Sequence, residues 1–284
     1  MFEISHHLRL SLGISLMTLF LVGCSGVLKT PIVSAMPAHT AAPDSNVKPE
    51  LEKYFQGFTG GFVLYDLKTD QYIRYQPERT AERLLPASTF KIMNALIGLD
   101  TGIIPDENFV IKWDGTHYDD PTWNQDQTLK SAIQNSVVWY FQDLARRVGK
   151  EKIQTYVNAV DYGNKDLSGQ VDSFWLRGGL RISSDEQVEF LKQLYLGRLP
   201  FSQRAMKIVK KILVMEKDGV YTLSGKTGSG LMGARYIGRF VGYVEEKGDV
   251  YFFATNIESP RSIASGVKAQ EITHNILQSL SLLP

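Results

Sequence analysis

Strands are predicted at both ends of the chain, with helices between them. Residues 61–75 contain two β-prone runs on either side of Lys68-Thr69-Asp70, a pattern typical of a hairpin. Residues 236–257 contain a second pair around a turn with Gly248. The chain between them places apolar residues at helical spacing, as in residues 137–148. These patterns predict an α+β fold, in which an antiparallel sheet formed from both chain ends holds an inserted, mainly helical region.

Five helices are predicted, and one has a clear start signal. They cover residues 90–99, 137–148, 153–160, 185–196 and 264–282. The signal is the run Ser183-Ser184-Asp185-Glu186-Gln187, where a serine can cap free backbone N–H groups and an acidic or amide side chain can reach back. A helix is therefore expected to begin at about residue 185.

The beginning of the chain predicts export. Residues 10–23 are mostly apolar but too few for a membrane-spanning helix, which needs ~20 residues, so residues 1–23 are interpreted as a secretory signal peptide. Leu21-Val22-Gly23-Cys24 resembles the lipobox of bacterial lipoproteins. This resemblance implies that Cys24 is lipidated and anchors the exported protein to a membrane. The alternative is an ordinary secretory signal in which the cysteine is incidental.

The next segment is predicted to be a tether. Residues 24–50 contain four prolines among small and polar residues and show no apolar periodicity. Residues 51–284 contain no repeat or second linker. We therefore expect a flexible lipidated tether at 24–50 and one catalytic domain at 51–284.

Composition excludes several classes of protein. Thirty-one Lys and Arg residues against 30 Asp and Glu give a net charge of +1, which offers no broad attraction to nucleic acid. Cys24 is the only cysteine, so the folded domain can contain neither a disulfide nor a thiolate metal cluster. A hydrophobic content of 43% with 21% charged residues argues against wholesale disorder and against a multi-span membrane protein.

Three apparent motifs fail on context. Gly228 to Gly233 matches a dinucleotide-binding pattern, but a strand follows it where a helix is required. Gly225-Lys226-Thr227 imitates the end of a phosphate-binding loop, but Val220 stands where that loop needs glycine. His117 and His274 have no second histidine at ligand spacing, so no metal site is expected.

Ser88-Thr89-Phe90-Lys91 combines a nucleophile with a base. Residues 90–99 are apolar at seven of ten positions, so the helix is expected to be buried, and three-residue spacing places Ser88 and Lys91 on one face. Burial lowers the pKa of a lysine by up to about 3–5 units and so converts it into a base. Ser88 lies at the helix start, where free N–H groups favour developing negative charge.

Lys226-Thr227-Gly228 ends a β-prone run at residues 221–225. A cation, a hydroxyl and a glycine on an edge strand suit a substrate that has a carboxylate and approaches the backbone closely. Between the two motifs lie Ser136-Val137-Val138, Tyr162-Gly163-Asn164 and Phe174-Trp175-Leu176.

These elements resemble those of the class D (oxacillinase-type) serine β-lactamases and occur in the same order. The resemblance extends from about residue 51 to the end of the chain. Its elements are Ser-Thr-Phe-Lys at 88–91, Ser-x-Val at 136–138, Tyr-Gly-Asn at 162–164, Trp175 and Lys-Thr-Gly at 226–228, with further similarity at Trp113-Asp114-Gly115 and Trp123-Asn124.

The resemblance implies a β-lactam hydrolase that confers antibiotic resistance. Ser88 would form an acyl-enzyme with the substrate. Lys91 would be N-carboxylated by carbon dioxide or bicarbonate, with no other cofactor and no metal, and would act as general base. Val138 would line the carbamate pocket and the Trp175 N–H would donate to the carbamate. Ser136 would relay a proton to the lactam nitrogen.

The resemblance also implies a set of substrate contacts. The backbone N–H groups of Ser88 and Ser229 would form the oxyanion hole. The substrate carboxylate would be held by Lys226, Thr227, Gly228 and Arg261, although Arg235 and Arg239 lie near the same strand and are alternatives for the last. The residues expected to line the site are Tyr162, Asn164 and Leu176. Two alternative interpretations stay open. In one Trp175 is only a core aromatic, and in the other Tyr-Gly-Asn is a turn that only shapes the site.

Two other functions are compatible with the motifs. A penicillin sensor has the same nucleophile but stays acylated. Sensors typically have Asn in place of Val138 and carry transmembrane segments that this sequence lacks, whereas Trp139-Tyr140-Phe141 is closer to the sensors. A cell-wall D-alanyl-D-alanine peptidase would show Ser-x-Asn at 136–138. Ser229 replaces the aromatic residue usual after Lys-Thr-Gly, so the substrate range stays open, as does the choice between monomer and homodimer.

Overall fold

The computed structural model describes residues 46–284. The expected signal peptide, Cys24 and most of the expected tether lie outside the described residues. Residues 46 and 47 already pair with the sheet, and Lys48 N donates to Arg74 O at 2.8 Å. The folded unit therefore begins before residue 51. The sequence does not reveal this start, because backbone pairing at a sheet edge requires no apolar pattern.

The strands come from both ends of the chain, as predicted. They are β1 (Asn46–Val47), β2 (Thr59–Asp66), β3 (Gln71–Tyr75), β4 (Val110–Ile111), β5 (Gln127–Thr128), β6 (Val214–Lys217), β7 (Tyr221–Met232), β8 (Arg235–Glu246) and β9 (Asp249–Ser259). Seven of them form one sheet in the order β1-β3-β2-β9-β8-β7-β6, while β4 and β5 form a separate ribbon. The large sheet is antiparallel except for the short β1–β3 pair. Pairing of β2 with β9 joins the two ends of the chain.

The helices include all five predicted ones. The α-helices are α1 (Pro77–Ala81), α2 (Lys91–Asp100), α3 (Leu129–Gln134), α4 (Val138–Val148), α5 (Lys150–Val160), α6 (Phe174–Arg177), α7 (Ser184–Tyr195), α8 (Gln203–Ile212) and α9 (Gly266–Ser279). Helix α8 has no counterpart among the predicted helices. Its buried residues, Ala205, Met206, Val209 and Ile212, nevertheless have helical spacing, and Ser202 caps its beginning.

The sheet lies between two layers of helices. In β2, Phe62 and Leu64 point to one face and Val63 and Tyr65 to the other, because side chains alternate along a strand. The first face is covered by α9 and an N-terminal 3₁₀ helix, and the second by the helical region that includes α2, α4 and α7. None of the helices within residues 46–284 has both the length and the apolarity needed to cross a bilayer.

Helix α7 begins with the predicted capping box. Ser183 Oγ accepts a hydrogen bond from Glu186 N at 3.0 Å, and the Glu186 carboxylate accepts one from Ser183 N at 2.8 Å. Two otherwise free N–H groups are thereby satisfied at a buried helix end. This cap fixes the beginning of a helix that packs on the central strands β2, β8 and β9.

We predict that Ser183→Ala lowers the free energy of unfolding by about 1 kcal/mol, because it removes the side-chain acceptor of the cap. Urea unfolding monitored by circular dichroism measures the change. Ser262→Ala is the matched control, since Ser262 is exposed and lies outside the helices. Equal effects of the two substitutions would contradict a stabilising role for the cap.

Candidate active site

The nucleophile candidate, Ser88, lies in a strained turn. It belongs to a 3₁₀ turn, Ala87–Phe90, that leads directly into α2. Ala87 has a φ of 49°, a left-handed conformation that costs a residue with a Cβ about 1–2 kcal/mol. Thr89 holds the turn by donating its backbone N–H and its hydroxyl to Pro86 O, at 3.2 and 2.7 Å. Ser88 is 8% exposed, and no hydrogen bond of its hydroxyl is seen within residues 46–284.

The amine of Lys91 is completely buried, as the sequence predicts. Its Nζ donates to the backbone oxygen of Ser136 and, at 3.0 Å, to Ser136 Oγ. The Phe141 ring in α4 lies 5.5 Å from the same nitrogen. Burial, assisted by the nearby charge of Lys226, holds the pKa of Lys91 well below its ordinary value of 10.5. Both effects favour the neutral amine over the ammonium form.

Ser136 is presented to Lys91 by the turn between α3 and α4. Its φ is 52°, so a second residue with a Cβ adopts the left-handed conformation at this site. Two tryptophans brace this turn: Trp123 Nε1 donates to Asn135 O at 3.0 Å, and Trp139 Nε1 donates to Trp123 O at 2.9 Å. Strain that is held by such contacts is typical of functional positions. Val138 is half-buried in the first turn of α4, the helix that carries Phe141.

Trp175 lies in the core of the helical region, in α6. Its ring stacks on Phe90, the residue before Lys91, with the ring centroids 5.7 Å apart. The indole is fully buried, yet its Nε1–H has no acceptor among the described residues. Buried donors are nearly always paired, so packing alone does not account for an indole here. Leu176 is half-buried beside it and packs against the same core.

Strand β7 offers a free edge to the site. Strand β6 pairs with β7 only as far as Ser224, and no strand in the described part of the chain covers that edge beyond it. Lys226 lies on this segment, and its Nζ contacts Thr227 O at 3.1 Å and Thr227 Oγ1 at 3.4 Å. An unpaired edge exposes N–H and C=O groups to an incoming ligand.

Gly228 brings that edge against the nucleophile. A Cβ at this residue would lie 3.1 Å from Pro86 O and 3.3 Å from Ser88 N, which is tighter than ordinary packing. Glycine therefore lets β7 approach the turn without displacing its neighbours by a few tenths of an ångström. The contact brings the backbone N of Ser88 close to Gly228 of β7, and Ser229 is the next residue of that strand. An oxyanion hole formed by the N–H groups of Ser88 and Ser229 requires such a close approach.

Ser229 connects β7 to α9. Its hydroxyl accepts a hydrogen bond from Gly266 N, the first residue of α9, at 2.8 Å. A Cβ at Gly266 would lie 2.9 Å from Gly228 N, and one at Gly238 would lie 2.1 Å from Ser265 O. Glycines thus allow the beginning of α9 to lie directly on the β7–β8 ribbon.

Arg261 is not brought to the site by any contact in residues 46–284. It is exposed between β9 and α9, and only its backbone N–H is bonded, to Ser259 Oγ at 3.2 Å. That it holds a substrate carboxylate therefore stays a prediction. Lys268, which the sequence did not single out, lies two residues after Gly266 and pairs with Glu271 at 2.7 Å. Lys268 lies in the first turn of α9. No local sequence signal marks it, because its position depends on how α9 packs on the sheet.

Tyr162 is buried in the core behind the site, whereas Asn164 is half-buried, and their predicted role as residues that line the site stays a prediction. Tyr162 is 1% exposed and packs edge-on against Phe90, with centroids 5.5 Å apart. Asn164 Oδ1 accepts from Arg181 N at 2.8 Å, and its Nδ2 donates to Gly179 O. Gly163 has a φ of 57°, and a Cβ there would lie 2.0 Å from Arg181 O. These contacts are those expected if Tyr-Gly-Asn is a turn that shapes the site.

Lys226 is the second buried amine of the site. Burial lowers its pKa from 10.5 to about 7. When the protein unfolds between pH 7 and 10.5, this amine therefore takes up a proton. The free energy of unfolding should rise with pH across that window and lose this contribution as the pH falls toward 7.

We predict that Lys226→Met flattens this pH dependence. The slope of the free energy of unfolding between about pH 8 and 9.5 should fall by about 1.4 kcal/mol per pH unit, the contribution of one proton. Urea unfolding at each pH measures the slope, and Lys217→Met on the exposed part of β6 controls for loss of a charge. Equal slopes in the parent and Lys226→Met proteins would show that the folded protein keeps the Lys226 amine protonated.

Comparison with known proteins agrees with this geometry. The model of the penicillin binding protein transpeptidase domain matches residues 60–278. Beta-lactamase OXA-48 of Klebsiella pneumoniae is 43% identical over 225 residues, which cover 79% of this chain and 84% of that protein. The class D beta-lactamase YbXI from Nostoc superposes with a TM-score of 0.78 at 39% identity, covering 82% of this chain and 99% of that one. The C-terminal domain of the Bacillus licheniformis BlaR penicillin receptor superposes with a TM-score of 0.80 at 37% identity, covering 86% and 100%. The chain thus belongs to the class D serine β-lactamases, a family of β-lactam hydrolases with the penicillin-binding transpeptidase fold.

Proposed function

We propose that the chain hydrolyses β-lactams through an acyl-enzyme on Ser88, with N-carboxylated Lys91 as general base. The observation that carries the proposal is the buried amine of Lys91, which contacts Ser136. The preceding residue, Phe90, stacks on Trp175. A nucleophile needs a base, and burial lowers the pKa of this amine, which favours the neutral form that can accept a proton.

Acylation follows from the arrangement of β7 and the 3₁₀ turn. The substrate carboxylate binds at Lys226 and Thr227, on the free edge of β7, and the lactam carbonyl points between the N–H groups of Ser88 and Ser229. Ser88 Oγ attacks the carbonyl carbon, its proton passes to the base at Lys91, and the C–N bond of the lactam breaks. Ser136 Oγ, 3.0 Å from Lys91 Nζ, returns a proton to the lactam nitrogen.

Carboxylation of Lys91 fits the residues around it. A neutral amine adds to carbon dioxide with loss of one proton to give a carbamate, and burial shifts the pKa of Lys91 in the direction that favours the neutral form. Among the described residues the buried Trp175 Nε1–H has no acceptor, so it is free to donate a hydrogen bond to a carbamate oxygen. The carbamate supplies a carboxylate base for Ser88 and for the water that releases the acyl group.

We also propose that the protein is exported and lipidated at Cys24, which lies outside the described residues. Support comes from the apolar stretch at residues 10–23 and from Leu21-Val22-Gly23-Cys24. A lipid on Cys24 would place the domain beside a membrane without a spanning helix.

The second candidate is a penicillin sensor, which is acylated without turnover. The similarity to the BlaR penicillin receptor favours it, because the two share the fold at a TM-score of 0.80. Counting the penicillin molecules opened per protein molecule separates the two functions. Many turnovers support the hydrolase, and a single stoichiometric burst supports the sensor.

We predict that Lys91→Ala either forms an acyl-enzyme that is not hydrolysed or is acylated very slowly. The reason is that the substitution removes the base and keeps the binding edge of β7. Steady-state turnover should fall by about 1,000-fold or more. Intact mass spectrometry after mixing with a penicillin detects the trapped acyl group on Ser88. Added bicarbonate should raise the activity of the parent at mildly acidic pH and leave Lys91→Ala unchanged. Full turnover by Lys91→Ala would overturn the proposed base.

We predict that Trp175→Phe weakens carboxylation without preventing acylation, since it removes the orphaned N–H and keeps an aromatic ring. The bicarbonate concentration for half-maximal activity should rise about tenfold, as for loss of one hydrogen bond to a charged group. Trp113→Phe is the matched control, because the indole of Trp113 donates to Thr116 O within a surface loop. The same bicarbonate requirement in parent and Trp175→Phe would refute a role for this N–H.

A further inference from the structure

Arg239 is a buried cation that the proposed reaction does not use. It lies in β8 with no exposed surface, and its Nη1 donates to Ile182 O at 2.9 Å. The same nitrogen lies 3.3 Å from Leu84 O and 3.4 Å from Leu85 O. One guanidinium nitrogen therefore contacts two chain segments that are distant in sequence.

Those two segments also pair with each other. Leu84 N donates to Ile182 O at 3.1 Å, and Ile182 N donates to Leu84 O at 2.9 Å, forming an isolated β-bridge. Leu84 begins the short stretch that ends at Ser88. Ile182 lies at the end of the loop that follows α6. In the same loop, Arg181 is hydrogen-bonded to Asn164 through its backbone N–H and C=O groups. Arg239 thus contacts the point where the nucleophile segment meets the loop behind it.

The register of the sheet places Arg239 next to the oxyanion strand. Arg239 is the partner of Gly228, and paired residues project to the same face of a sheet. Gly228 is the residue that contacts the backbone of Ser88. The side chain of Arg239 therefore connects the sheet to the nucleophile segment from directly beside this contact.

Stability does not explain why an arginine is kept here. Arg239 forms no ion pair within the described residues, and its Nε and Nη2 have no partner there. Burial lowers its pKa from 12.5 to about 10, so it stays charged at neutral pH. A desolvated charge without a counterion costs free energy, and an apolar residue of similar volume is often neutral or stabilising in such a place.

We propose that Arg239 is a positioning residue for acylation: by holding the Leu84–Ile182 bridge to β8, it sets the position of the Ser88 N–H relative to the N–H of Ser229. The proposal rests on the proposed acylation of Ser88. It assigns Arg239 no contact with substrate and no role in proton transfer. Its loss lets the nucleophile segment shift relative to the sheet, and small displacements of reacting groups cost up to about 100-fold in rate.

The test compares Arg239→Met, Arg239→Lys and Thr255→Val with the parent. Thr255 is the control because its hydroxyl bonds Thr273 at 2.6 Å on the opposite face of the same sheet, away from the bridge. A fluorescent penicillin titrates the competent sites, and stopped-flow mixing gives the acylation rate constant per competent site and the dissociation constant of the initial complex. Thermal unfolding is measured on the same samples.

Arg239→Met should acylate about 10- to 100-fold more slowly per competent site, with less than about a threefold change in the dissociation constant and no loss of thermal stability. Arg239→Lys should recover part of the rate, since an ammonium group keeps one donor and the charge. Thr255→Val should lower stability and leave the rate per site unchanged.

An Arg239→Met protein with the parent's rate per competent site would overturn the proposal, whatever its stability. So would a loss of activity that disappears after correction for unfolded protein. If the parent itself is not acylated, the proposed function fails and this proposal fails with it, so the two failures are told apart by the parent's own titration.

Discussion

The site depends on the exclusion of water from one amine. Lys91 is surrounded by the first turns of α2 and α4, and its Nζ bonds only to Ser136 in the described structure. A hydrated lysine would be protonated at neutral pH and could neither accept a proton from Ser88 nor add carbon dioxide. In the proposed mechanism, the packing of Phe90, Phe141 and Trp175 therefore serves the base as well as the core.

Close backbone approach is the second constraint. The nucleophile turn, the β7 edge and the beginning of α9 meet where a Cβ would be tightly packed at Gly228 and would clash at Gly238 and Gly266. The two left-handed residues, Ala87 and Ser136, lie at the same place. Strain and the missing side chains both weaken a fold locally, and the surrounding three-layer packing makes this local cost tolerable.

The sequence predicts those features that depend on neighbours along the chain. The hairpin at 61–75, the capping box at Ser183 and the burial of Lys91 follow from periodicity and from local hydrogen bonding. It does not predict features that depend on which segments meet. The burial of Tyr162 against Phe90 and the exposure of Arg261 are of this kind. Periodicity tells which face of an element is buried but not which partner covers it.

Three buried basic side chains on one side of the sheet differ in how readily they lose a proton, and this difference suits them to different roles. Lys91, Lys226 and Arg239 all lose solvent, and none forms an ion pair within residues 46–284. Burial brings Lys226 to a pKa of about 7, within reach of proton exchange, while the same effect leaves Arg239 at about 10 and permanently charged. Lysine at such a depth is suited to carry protons, whereas arginine is suited to hold carbonyl oxygens in place. A lysine in place of Arg239 would present a compact amine instead of a planar fork, so it would keep a donor but hold the carbonyl oxygens of Leu84, Leu85 and Ile182 less rigidly.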